Sequence, residues 1–210
     1  MLLNYLNFIK LQISALSQIV WLQLLCIALY PMFFNQINAN NDLANIIIYA
    51  AGLLMLSYLL LRNFAFNDAK YKTKLLFSIL PVTSKTIIGA RGVIIYLFCF
   101  LATPLIILFS NIIHIIKPEM FAVIQIHTLP YGVLLVAVFI PLEFLIFYMF
   151  ETQKADIIGA LAIFPYMALM ALLYNYFMKS PLLIGVIVVA ILINVFCYRF
   201  CNKLYKYKEL

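Results

Sequence analysis

Six long apolar runs alternate with short polar stretches along the chain, at residues 13–34, 43–61, 93–113, 129–150, 157–178 and 181–198. Each is close to the roughly 20 residues that a helix needs to cross the hydrocarbon core of a bilayer. Five carry no formal charge, and the fourth carries one, Glu143. The pattern predicts an all-α polytopic membrane protein, a single domain over residues 1–210 with six transmembrane helices. Ahead of the first run, Leu2, Leu6, Ile9 and Ile13 share one helical face while Asn4, Asn7 and Lys10 share another. That spacing predicts a helix lying in the membrane interface; the alternative is the frayed start of a long first span.

Charge orients the bundle. With both termini in the cytoplasm, 12 of the 14 Lys and Arg residues lie inside, and only Lys117 and Lys179 lie outside. The positive-inside bias therefore predicts N-in, C-in. Composition agrees: 67% of the residues are hydrophobic and 10% charged, with a mean hydropathy of +1.10, which excludes a soluble domain. The net charge of +7 is spread over short connections, so it does not describe a nucleic-acid surface. The N-terminal stretch lacks the basic cluster and small-residue cleavage site of a signal peptide, and none is expected. Prolines 31, 104, 130, 141, 165 and 181 fall in spans or at their ends, where they kink or bound a helix.

Catalytic chemistry is hard to assemble from these residues. GxxxxGK[ST], HExxH and CxxC are all missing, which predicts no enzyme, metal or cofactor site on this chain. His114 and His127 lie thirteen apart in the predicted outer loop, and cysteines 26, 99, 197 and 201 read as buried thiols. Ser57 and Ser110 sit in spans without a histidine to activate them. Glu143, eight residues before Glu151 and so about 12 Å deeper along a helix, is the one intramembrane acid. A charge there costs roughly 2.5 to 3.5 kcal/mol, so Glu143 needs a polar partner or water, or else lines a path. Gln18 and Gln23 on the first span are the other path-lining candidates, with the small-residue run Ala50, Ala51 and Gly52 on the second. Aromatic residues near span ends, among them Tyr30, Phe33, Tyr96, Tyr131, Tyr148 and Tyr198, suit an interfacial belt.

The connection between the second and third runs carries the most information. Residues 67–80 read NDAKYKTKLLFSIL: an Asn67 or Asp68 cap, Lys70, Lys72 and Lys74, then an apolar end at Leu75, Leu76, Phe77, Ile79 and Leu80. This predicts a short cytoplasmic helix, ended by Pro81. Thr83 or Ser84 then caps the helix that carries Lys85 and Arg91 into the third span. Lipid anchoring by the lysines and docking of a cytoplasmic partner both fit.

Residues 76–91, LFSILPVTSKTIIGAR, resemble the segment LLxSLPVSRKxIVxxK in the small six-span permease subunits of bacterial type-2 ABC exporters. The likeness rests on the Leu-rich run, Pro81 with Val82, Thr83, Lys85, Ile87 and Arg91; Ser84 stands where the family has arginine. The group includes exporters of phenol-soluble modulins and of antimicrobial peptides. The resemblance implies a plasma-membrane permease that pairs with a second permease copy or sister chain and with two cytoplasmic ATP-binding-cassette subunits. ATP and Mg would be bound by those subunits, and the cargo would be an amphipathic or hydrophobic substrate, with a peptide the expected class. It also implies an ATPase-coupling role for Asp68, Lys70, Lys72, Lys74, Leu75, Leu76, Phe77, Leu80, Pro81 and Lys85. The alternative class is a membrane scaffold or sensor that docks a partner through the same loop without transport. An ion-coupled carrier would want internal repeats or several buried charges, which the sequence lacks.

Overall fold

A computed structural model describes residues 10, 13, 23, 42–71, 83–116, 126, 129–177 and 183–208. Five long helices lie within them: α1 (Asp42–Tyr71), α2 (Ser84–Ile116), α3 (Leu129–Met149), α4 (Thr152–Phe177) and α5 (Leu183–Lys208). All five are long and apolar enough to cross a membrane, and no strand occurs among the described residues. They correspond to the second through sixth predicted spans. Of the first span and the interfacial helix only Lys10, Ile13 and Gln23 are described, each helical, and the segment 72–82 lies outside the described residues.

The helices overrun the predicted spans. α1 has 30 residues and is about 45 Å long, well beyond a roughly 30 Å hydrocarbon core. It passes through Asn67 and Asp68 without a break, so the cap expected there does not exist. The reason is visible in the side chain: the Asp68 carboxylate, which would have capped a new helix, is bound to Arg91 instead. α2 does begin where the sequence suggests, with the Thr83 hydroxyl accepting from the Thr86 N–H at 3.3 Å. It continues to Ile116, which draws His114 out of the predicted loop and into the last helical turn.

α3 is the hub, packing against α1, α4 and α5, while α1 also meets α2 and α4, and α2 meets α5. Burial separates α1 and α3 from the outer helices. Within their apolar windows 78% of α1 and 56% of α3 is enclosed by the chain itself, against 17% of α4 and 22% of α5. The outer helices turn large apolar side chains outward, such as Leu161 and Phe164 on α4 and Leu192 and Phe196 on α5, as surfaces solvated by acyl chains require. Ala50 and Ala51 are fully enclosed in α1, where they serve close packing inside one chain. A Cβ on Gly132 of α3 would lie 2.8 Å from Tyr49 Cε1, so glycine is what lets α3 approach the α1 ring. α3 and α4 form a tight antiparallel pair, turned over Phe150 and Glu151. In that turn the Glu151 carbonyl accepts from the Ala155 N–H at 2.8 Å.

Candidate functional site

The two helices that flank segment 72–82 are tied together at its root. Arg91 on α2 donates from Nη1 to Asp68 Oδ2 at 2.8 Å and from Nη2 to Asp68 Oδ1 at 2.6 Å, a bidentate pair in which the arginine is only 3% exposed. Nη1 also donates to the Tyr148 hydroxyl of α3 at 3.2 Å, and the guanidinium lies 5.1 Å from the Phe64 ring centroid on α1. Tyr148 in turn meets Tyr205 of α5 edge-on, with centroids 5.9 Å apart. One guanidinium therefore joins α1, α2 and α3, with α5 one ring further on. A buried pair of this kind is stabilising only while both partners stay; losing one leaves an uncompensated charge.

A second knot holds the same end of α1 to α4. Arg62 Nε lies 2.9 Å from Asp156 Oδ1, and the Tyr58 hydroxyl donates to the same oxygen at 2.5 Å. Arg62 is 43% exposed in its side chain, so this pair is wetter and weaker than the Asp68–Arg91 clamp. Around the groups at this end, Ser84 donates to Asn202 at 2.8 Å and the Tyr198 hydroxyl donates to the Lys85 carbonyl at 3.1 Å, joining α2 to α5.

Deeper in the bundle the polar contacts are sparser. Ser57 Oγ is hydrogen-bonded to Glu143, which has no exposed surface, and lies 2.8 Å from the Leu54 carbonyl. Tyr96 donates to Asn194 Oδ1 at 2.6 Å, and Asn194 Nδ2 donates to the Ala137 carbonyl at 2.8 Å. Ala137 is four residues before Pro141, whose missing N–H would otherwise leave that carbonyl unpaired.

A family model described as ABC-2 family transporter protein matches residues 7–206. The chain belongs to the ABC-2 transporter family. It is the membrane permease component of an ABC transporter, not itself an enzyme, and the family implies pairing with an ATP-binding subunit. No curated protein and no solved structure matches it.

Of the coupling residues that the resemblance implies for this ABC-2 permease, Asp68 and Lys85 are described with their side chains, and both sit at the root of the loop. Asp68 faces inward to Arg91, and Lys85 stands exposed beside α5. Lys70 is helical at the end of α1, while Lys72, Lys74, Leu75, Leu76, Phe77, Leu80 and Pro81 lie outside the described residues. Gln23 accepts from Asn63 Nδ2 at 3.0 Å, which sets the first predicted span against α1; Gln18 lies outside the described residues. Cys99, Cys197 and Cys201 are buried free thiols. Two residues of the predicted belt have described surroundings within the bundle. Tyr148 is buried in the arginine knot, and Tyr96 lies twelve residues into α2, about 18 Å from its start. Missing from the sequence reading were the pairings of Arg62 and Arg91. The signal available was that two of the few acids, Asp68 and Asp156, flank spans at the same end as these arginines.

Proposed function

We propose that this permease is the membrane subunit of a bacterial exporter, working with two cytoplasmic ATPase subunits and a second permease, and moving amphipathic peptides out of the cell. The observation that carries the reading is the Asp68–Arg91 clamp at the root of the loop that resembles the family's coupling segment. In this reading the loop seats Leu75, Leu76, Phe77 and Leu80 in an apolar groove of the ATPase, with Lys70, Lys72 and Lys74 supplying charge complementarity and Pro81 a rigid turn. Asp68 works from behind: its carboxylate is occupied by Arg91, so it fixes the loop's root rather than touching the partner. Lys85, one residue into α2, stands at the other root.

A clamped root matters for energetics. Driving an inward-to-outward population from 1:99 to 99:1 takes about 5.5 kcal/mol of differential stabilisation. A loop hinged freely at both ends would dissipate the displacement that conveys it. With Arg91 binding α1, α2 and α3 into one unit, closure of the ATPase dimer shifts three helices together.

The test is uptake of a fluorescent amphipathic helical peptide by inside-out vesicles that hold the permease and its ATPase. ATP-dependent accumulation, absent with a hydrophilic peptide of equal length, is expected. An ATPase that binds the permease without any nucleotide-dependent peptide movement would instead establish a scaffold that docks a partner through the loop.

A further inference from the structure

Between α2 and α5 the bundle opens into a cavity of about 310 Å³ whose wall includes Gly89, Gly92, Tyr96, Pro141, Phe144 and Cys197. Beside it is a wider hollow of about 400 Å³ bounded by Lys85, Asn194, Tyr198, Arg199 and Asn202. Asn194 and Tyr198 line both, so the two adjoin. The inner part is mostly hydrocarbon and aromatic, and from Gly89 to Tyr96 it follows α2 for about 10 Å. Its backbone side is open because Gly92 has no side chain: a Cβ there would meet only Phe144 Cζ, at 4.0 Å.

The outer part has the opposite character. Lys85 and Arg199 are both exposed at it, and among the described residues neither forms an ion pair and no carboxylate lines either hollow. The groove is flanked by apolar surface that faces the bilayer, with Leu97 and Phe100 on α2 and Val195 and Phe196 on α5 exposed. An apolar slot ending in two unpaired cations is complementary to a molecule with an apolar tail and an anionic head. A helical peptide is about 10 to 12 Å across and does not fit a slot between two helices in mutual contact, whereas a single acyl chain does.

We propose that the α2–α5 groove holds one acyl chain of an anionic phospholipid from the surrounding leaflet, with its phosphate held by Lys85 and Arg199. A lipid seated there would wedge the contact between α2 and α5 and so bear on how freely α2 follows the loop.

The full-length permease is purified, delipidated in detergent and titrated with phosphatidylglycerol or phosphatidylcholine of identical chains, and bound lipid is counted by native mass spectrometry. Wild type is expected to bind one phosphatidylglycerol roughly thirtyfold more tightly than phosphatidylcholine, two basic contacts at about 1 kcal/mol each. Arg199→Gln and Lys85→Gln should each weaken the anionic lipid roughly fivefold and weaken phosphatidylcholine, whose choline offsets its phosphate, by less, so that the preference for phosphatidylglycerol narrows. Gly92→Leu fills the slot and should abolish tight binding of both lipids, while Gly92→Ala retains it. Equal affinity for the two lipids overturns the proposal, as does phosphatidylglycerol binding that Arg199→Gln leaves unchanged. Arg199 is exposed, so its variant decides the matter even if Gly92→Leu fails to fold.

Discussion

Asn194 shows how a single polar side chain earns its place in an apolar bundle. It donates to the Ala137 carbonyl that Pro141 leaves without an intrahelical partner, and accepts from Tyr96. Asn194→Leu is therefore expected to destabilise the detergent-solubilised permease by about 1 to 2 kcal/mol in an unfolding titration. Adding Pro141→Ala restores an N–H to that carbonyl and should recover part of the loss; no recovery would mean that Asn194 acts elsewhere. Gly132 is constrained in another way. Gly132→Ala forces its Cβ into the Tyr49 ring, which is buried and held by a 2.7 Å bond to Thr103, so a clear fall in thermal stability is expected. Glu143 was legible in the sequence as the one intramembrane acid needing a partner. Its partner was not legible, because Ser57 lies 86 residues away and only the packing of α1 on α3 brings them together.

At the scale of helices, the spans were legible and their ends were not. Hydropathy stops a span at its first charge, so the third was expected to begin at residue 93, after Arg91. In the fold Arg91 has Asp68 opposite it, and a neutralised pair lets α2 start at Ser84 and carry Arg91 inside the bundle. The missed cap at Asp68 has the same origin, since one carboxylate can serve a backbone or an arginine, and local sequence does not say which. Arg91→Leu should cost about 3 to 5 kcal/mol by leaving Asp68 uncompensated, and the double variant Asp68→Leu with Arg91→Leu should regain most of that. Under the coupling account the double variant still binds the ATPase, yet hydrolyses ATP without moving peptide. Full transport by a stable double variant would show that the clamp is structural only.

For the molecule as a whole, the alternation of apolar runs was enough to read a polytopic bundle, and the 12-to-2 split of basic residues predicts its orientation. What escaped the sequence was which helices form the centre, because α1 and α4 each carry an apolar window long enough to span and differ in what packs on it. The orientation has its own check: in intact cells, Lys117→Cys should react with a membrane-impermeant maleimide and Lys203→Cys should not, and the reverse pattern would invert the topology. The central claim is that segment 72–82 carries the ATPase and that its clamped root conveys the motion. The most direct measurement is co-purification of the tagged permease with a co-expressed ATP-binding-cassette subunit from the same organism, with ATP turnover recorded for wild type and Phe77→Asp. A stoichiometric complex that turns over ATP in the wild type, and a permease that inserts normally but comes away alone with Phe77→Asp, is the expected result. An ATPase that stays bound to Phe77→Asp, or a wild-type permease that purifies without one, would contradict it.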